Sequence, residues 1–461
     1  MTKTGKLLTG CLMSIALATQ LHAADCTVVN DNDTGAGSLR DCIDNVAGNG
    51  DKITFAGACS PGCTINVGAE MDVEDNITID GENNAIVLDG GGTGRIFNFN
   101  GVTVTLSNLT MQNGDEGTGG AIRLDASEGA ATLTINNCTF SGNSATNRGG
   151  AIGVTSDSHD AMLTINNCTF DDNHASSDGG AIATQPASDD SATVVINNST
   201  FSGNRAEDDG GAIYNRAGAS DSEITVSIQN STLSGNEAGS DGGAIYGAAS
   251  SDGDTRITVN NSTISGNDAG NRGGAIYAFE SDGDTQITVN NSTISGNSAG
   301  SDGGGLFISD VDDAEIILRN TILAGNSASS NSPECNQFDS EDYNLIQDPT
   351  DCQITGDTGN NITDQDPLLG PLADNGGPTQ THALLNGSPA IDSADSLDTE
   401  GVVVNYDQRG TPRPQKAGWD IGAYEDDTVT RPVPALSHSG KVMMFLSLLF
   451  GGAWLARRKK A

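Results

Sequence analysis

Aromatic residues make up only 4% of this 461-residue chain, whereas Gly reaches 60. So small a supply of large side chains excludes one thick globular core and leaves a thin, repetitive one. Basic residues are scarce too: 21 Lys and Arg face 61 Asp and Glu, a formal charge of -40. Such a chain repels phosphate backbones, which excludes nucleic acid as a partner. The acids are scattered among Gly, Ser and Asn and read as a solvated exterior. Of 5 His, only His159, His174 and His382 fall in the expected mature ectodomain, and none sits in a cluster of catalytic type. No stretch within the repeats offers a helical period.

What is present begins with an export signal. Lys3 and Lys6 precede the apolar stretch Leu7 to Leu21, and Leu21-His22-Ala23-Ala24 supplies a small-residue cleavage site at Ala23 and Ala24. Residues 1-24 are therefore expected to be removed, in a compartment that permits disulfides. Of the 9 Cys, Cys11 leaves with the signal. Spacing pairs Cys26 with Cys42, Cys59 with Cys63, and Cys335 with Cys352, fastening the non-repeating ends, although connectivity is not fixed by sequence. Cys138 and Cys168 occupy equivalent repeat positions, as a disulfide or as two buried thiols.

The centre of the chain repeats itself. FSGNSATNRGGAI from Phe140 returns from Phe170, Phe201, Leu233, Ile264 and Ile294, at offsets of 30, 31, 32, 31 and 30. Between these blocks lie alternating stretches such as TLTINNCT and ITVNNST, which read as strand. In the first unit Leu133 and Ile135 point inward, Asn136-Asn137 makes a corner, and Gly149-Gly150 turns the chain into Ala151-Ile152. Each unit supplies three short strands and cannot bury its apolar residues alone, so units must stack. The expected fold is all-β: a right-handed parallel β-helix, with an N-terminal cap, an irregular C-terminal cap module and a C-terminal hydrophobic helix. Its divisions are a signal at 1-24, cap and first coils at 25-115, repeats at 116-330, the C-terminal module at 331-427 and a tail at 428-461. Stacking predicts an internal column from Phe140 to Ile294 and an amide-bonded corner column through Asn137, Asn167, Asn198, Asn230, Asn261 and Asn291. Ser38 before Leu39, Cys42, Ile43 and Val46, with Asp41 three residues on, predicts a short capping helix.

The pairing of Phe-x-x-Asn with Gly-Gly-Ala-Ile, from Gly119 to about Leu306, resembles the repeats of the polymorphic outer-membrane adhesins of chlamydiae. That resemblance implies a displayed binding stalk, but the barrel-forming strands of those autotransporters do not follow here. Residues 366 to 425, with DPLLGPLADNGGPTQTHALLNGSPAIDSAD, DQRGTPRP and WDIGAYE, resemble the choice-of-anchor Q module. The tail, Val433-Pro434-Ala435-Leu436-Ser437, then Val442 to Ala456 and Arg457-Arg458-Lys459-Lys460, resembles an IPTL-type sorting signal, although Ala435 replaces the usual Thr. It implies an envelope sorting enzyme as a partner. Its fifteen-residue apolar run is shorter than the ~20 that span a bilayer comfortably, yet with Lys441 and Arg457 snorkelling it is expected to engage the membrane.

Reaction chemistry is hard to find. Neither the Asn-Thr-Asp, Asp-Asp and His-Gly set of polygalacturonases nor a Gly-x-Ser-x-Gly elbow occurs. The residue before each Gly-Gly forms a column of Arg148, Asp178, Asp209, Asp241, Arg272 and Asp302, in which Arg148 is expected to pair with Asp178, and Arg272 with Asp241 and Asp302. Asp252, Asp254, Asp282 and Asp284 are weak candidates for Ca²⁺, since such Asp-Gly-Asp runs are also ordinary turns. No other cofactor is expected. The sequence reads as a non-enzymatic cell-surface or secreted protein of a Gram-negative-type bacterium, a stalk for adhesion or for binding a glycan or protein. The alternatives are a polysaccharide lyase or hydrolase, which needs converging acids or an Arg beside a groove, and a purely structural spacer.

Overall fold

The computed structural model describes residues 25–187, 189–309 and 314–427. Over them the chain winds into a right-handed parallel β-solenoid. One coil contributes Ile152–Thr155 and Ala161–Asn166 to a 20-stranded sheet, and Thr169–Asp171 to a 12-stranded one. His174–Ala175 then joins an 8-stranded sheet before the next Gly-Gly. In two later coils the first two strands merge into Ile245–Asn260 and Ile276–Asn290.

Register holds like against like. Phe140 pairs with Phe170, which pairs with Phe201, then Leu233, Ile264 and Ile294 follow in the same column. The three rings lie 4.6 Å apart and nearly parallel, the spacing that neighbouring strands impose. At the Gly149-Gly150 corner, Gly149 has φ +65°, and a Cβ on Gly150 would stand 2.1 Å from the Gly180 carbonyl oxygen. The first glycine supplies a left-handed turn and the second lets consecutive coils touch backbone to backbone.

A buried amide ladder runs inside the next corner. Asn143 Nδ2 donates to Asn173 Oδ1 (2.9 Å), and the pattern continues through Asn204, Asn236, Asn267, Asn297 and Asn326. Each Nδ2 also donates to a main-chain carbonyl of the preceding coil, as Asn204 does to Phe170 (3.0 Å). The corner column expected to carry this bonding does so only at its start, where Asn137 Nδ2 donates to Asn108 Oδ1 (3.3 Å). Asn137, Asn167, Asn198, Asn230, Asn261 and Asn291 adopt φ between 46° and 53° and turn the chain, a backbone region that Asn tolerates well. The residue just before takes over part of the side-chain bonding: Asn166 Nδ2 donates to Asn136 Oδ1 and Asn197 Nδ2 to Asn166 Oδ1.

The N-terminal end is closed by a turn of helix at Leu39–Asp41 that continues π-wound through Cys42–Val46. Ser38 Oγ accepts from the Asp41 N–H (3.1 Å), and Asp41 reaches back to Gly37 N (2.9 Å). Disulfides join Cys26–Cys42, Cys59–Cys63 and Cys335–Cys352. Cys138 and Cys168 are buried free thiols in one column, Cys138 N–H lying 3.4 Å from Cys168 Sγ.

The C-terminal end departs from expectation. Among the described residues no cap module closes the solenoid; residues 366–426 instead run back along the outside of the 12-stranded sheet. The outward column there changes from Thr263 and Thr293 to Ile322, Leu345 and Ile362. Ile322, Ala324 and Leu345 thus meet Leu384, Ala390, Ile421 and Tyr424 in a second apolar cluster. Above it the threonines bond the returning segment, Thr232 Oγ1 donating to the Gln380 carbonyl (2.6 Å) and Thr263 Oγ1 to Gln408 Oε1 (2.7 Å). An apolar outward column explains why the segment lies on the flank: end closure would leave that column in water.

The expected C-terminal hydrophobic helix and membrane partnership are likewise corrected. Among the described residues no helix is long and apolar enough to cross a membrane. The run Val442 to Ala456, the motif Val433 to Ser437 and the cleavage residues Ala23 and Ala24 lie outside the described residues.

Candidate functional site

The returning segment creates a site at the Asn corner. Where residues 398–410 pass over the corners of three coils, they enclose a cleft of about 490 Å³. Its walls include Asn230, Asn260, Asn261, Asn291, Asn405 and Tyr406. The wall is held in place by Asn290, whose Nδ2 donates to Thr399 Oγ1 (3.1 Å), and by the Thr399 N–H to Asn290 Oδ1 (3.3 Å). Asn291 is 1% exposed, and neither its Oδ1 nor its Nδ2 has a hydrogen-bond partner; Asn261 Oδ1 is buried and unpartnered as well. An unsatisfied buried polar group costs about 1–3 kcal/mol. Three such atoms lining one cleft mark a place that favours a hydrogen-bonding ligand. Tyr406, 58% exposed, stands at the rim beside exposed Val403.

The two acids of the cleft are already engaged. Asp407 pairs with Arg409 (2.7 Å), and Asp398 Oδ1 accepts from the N–H groups of Glu400 (3.0 Å) and Val402 (2.8 Å). This arrangement is suited to holding a polar molecule.

A second cleft, about 400 Å³, lies on the outer face of the 20-stranded sheet between Glu315, Arg319, Asp339, Glu341 and Asp357. Glu315 accepts from Gln286 Nε2 (3.0 Å), and its carboxyl is raised above the usual range by burial, then by its hydrogen bond to Asp339 and the charges of Asp339 and Glu341. Arg319 is already engaged: it donates to the carbonyls of Leu397 and Glu341, pairs with Asp395 (2.6 Å) and lies 3.8 Å from the Glu341 carboxylate.

The column before each Gly-Gly packs over a stack of four rings, Tyr214, Tyr246, Tyr277 and Phe307, with centroids 5.0, 5.2 and 5.8 Å apart. Arg148 pairs with Asp178 (2.7 Å) and lies over Tyr214. Arg272 closes no ion pair with Asp241 or Asp302; its guanidinium lies 5.1 Å from the Phe307 ring centre, and only its main-chain N–H reaches Asp241 (3.0 Å). Burial first, and then the charges of Asp241, Asp178 and Asp208, push Asp209 up to about 7. The sequence carried a signal for this ring stack in the aromatic that follows each later Gly-Gly-x-Ile or Gly-Gly-Leu, which the alternation pattern alone assigned no role.

Asp254 and Asp284 stand in register on neighbouring coils with Glu223, while Asp252 and Asp282 adopt φ of 64° and 63° in the adjoining turns. Among the described residues no group of three His, Cys, Asp or Glu is placed to hold a metal ion.

A family model supplies one comparison. The repeats resemble the Chlamydia polymorphic membrane protein repeat. Its matches cover residues 137–155, 167–185, 198–216 and 230–248, well under half of the chain. No curated protein matches the chain. Among solved structures, the crystal structure of pectate lyase Pel9A matches over 88% of this chain and 97% of that one, at 14% identity and a TM-score of 0.45. The expectation that the chain is no enzyme does not stand beside this match with a lyase and is withdrawn.

Proposed function

We propose that this is an exported bacterial β-solenoid that engages polysaccharide along its side, with the cleft between the Asn corner and residues 398–410 as the sugar-contacting site. The observation that carries this reading is the set of unpartnered amide atoms on Asn261 and Asn291 beneath an exposed Tyr406. Amides paired with an exposed ring match the two faces of a sugar, hydroxyls on one and C–H groups on the other. The solenoid supports such a role, since stacked coils offer a long lateral surface to an extended polymer. Incubating the purified protein with a broad polysaccharide panel, scoring retention and newly released sugar ends together, tests it. Retention on at least one polysaccharide is expected; retention on none removes the reading.

Cleavage is a second reading, favoured by the Glu315–Asp339 carboxyl pair in its own cleft. Glycoside hydrolysis uses two carboxyl groups, one of which keeps its proton for the leaving oxygen, and a partly buried carboxyl with a raised pKa is equipped to do so. New sugar ends that disappear in both Glu315→Gln and Asp339→Asn would establish it; undiminished release in those variants would end it.

A further inference from the structure

We infer that the Asn-corner cleft is built for a neutral, hydroxyl-rich glycan and rejects polyuronates. The inference rests on the polysaccharide reading above and narrows its substrate class. Two of the three unpartnered atoms, Asn261 Oδ1 and Asn291 Oδ1, are acceptors, and the third, Asn291 Nδ2, is a donor. A ligand that satisfies all three must donate at least twice and accept at least once. Sugar hydroxyls do both, because each carries one donor hydrogen and two lone pairs. A carboxylate, sulfate or phosphate accepts only, so it would leave both amide oxygens unpaired and set its charge against them. An ammonium donates only and would leave Asn291 Nδ2 unpaired.

Charge points the same way. No Lys or Arg lines the cleft; of the two acids that do, Asp407 is paired with Arg409, and Asp398 is held by main-chain N–H groups alone and keeps its charge unoffset. The protein carries a formal charge of -40, so a polyanion is repelled at long range as well as at contact. The exposed ring of Tyr406 beside Val403 gives the apolar face of an uncharged pyranose something to cover.

Asn291 has φ 49°, where glycine substitutes without backbone strain. Asn291→Gly therefore removes the two orphaned amide atoms and should leave the melting temperature unchanged or raised. Asn137, with φ 52° in the same column and far from the cleft, gives the control Asn137→Gly. The experiment is affinity electrophoresis and equilibrium binding of the intact protein on neutral glucan, mannan, galactan and xylan, on polygalacturonate and alginate, and on gelatin. We expect retention on at least one neutral polymer and on neither polyuronate. Asn291→Gly and Tyr406→Ala should each weaken that binding by about tenfold or more, equivalent to ~1.4 kcal/mol, and Asn137→Gly should leave it unchanged.

Retention on polyuronates in place of neutral polymers overturns the inference while the polysaccharide reading survives. Neutral binding that Asn291→Gly and Tyr406→Ala do not weaken overturns the assignment to this cleft. Retention on gelatin alone, or on nothing, overturns both.

Discussion

A single asparagine per coil carries much of the specificity of this fold. Asn204 shows why: its Nδ2 donates to the Phe170 carbonyl and to Asn236 Oδ1, while its Oδ1 accepts from both the N–H and the Nδ2 of Asn173. Asn204→Ala orphans buried groups on two neighbouring coils at once. At ~1–3 kcal/mol for each unsatisfied group, a loss of at least ~3 kcal/mol is expected in denaturant unfolding. A loss below ~1 kcal/mol would show that the ladder is replaceable by packing. The ladder ends on Glu334, which accepts from Asn326 Nδ2 (2.6 Å) and is pushed by burial up to about 7. Its folded pKa lies above its unfolded value near 4.3, so the folded state binds the extra proton between those limits. Its contribution to stability is therefore greatest below about pH 4 and declines as pH rises to about 7. Asp209, also near 7, has the same sign. Melting temperature should fall between pH 5 and pH 8, and Glu334→Gln should flatten that fall; an unchanged slope would remove Glu334 as a cause.

At the scale of strands and corners, the decisive contacts are between coils. Gly150→Ala would force a Cβ to within 2.1 Å of the Gly180 carbonyl oxygen, where neither backbone can retreat without breaking register. We expect a loss of ~3 kcal/mol or more in the unfolding free energy, at or above the upper end for overpacked sites. A wild-type transition midpoint would mean that the corner can open. The ion pair Arg148–Asp178 is a gentler matter, with Arg148 30% exposed, and should matter by under ~1 kcal/mol. These elements were legible because the repeat states its own period: Phe140, Phe170 and Phe201 announce an inner column, and Gly149-Gly150 a turn. Which Asn carries the amide ladder was not legible. Asn137 and Asn143 recur equally well, and only the backbone sets Asn137 in a left-handed turn while placing Asn143 inside. Arg272 shows the same limit, since charge alternation predicted a carboxylate partner where the ring of Phe307 lies beneath the guanidinium. The cleft could not be read at all. It requires residues 398–410 to return to coils more than a hundred positions earlier, and no local pattern encodes that distance.

For the whole molecule, that return makes the proposed site depend on a few residues of the returning segment. Gln408, buried, places the two N–H donors of Nε2 within hydrogen-bond reach of the Ser231 carbonyl (3.2 Å), Thr232 Oγ1 (3.0 Å), Thr379 Oγ1 (2.8 Å) and the Gln380 carbonyl (3.1 Å). Its Oε1 accepts from Thr263 Oγ1 (2.7 Å). One side chain thus ties two coils to the returning segment, next to Asp407 and Tyr406 of the cleft. In Gln408→Ala the Ser231 carbonyl and Thr379 Oγ1 lose this donor and Thr263 Oγ1 loses its acceptor, whereas the columns inside the solenoid are untouched. Because each coil rests mainly on its neighbours, damage to the flank should stay on the flank. We expect limited proteolysis to cut Gln408→Ala beyond residue 365 at least tenfold faster than wild type, with the repeat region surviving as a resistant fragment. Polysaccharide retention should fall in the same variant, since Asn291 would keep its position while the opposing wall loosens. Equal protease resistance together with lost retention would separate the two effects and place Gln408 in ligand contact. Fast cleavage with full retention would instead show that the Asn corner binds without its roof.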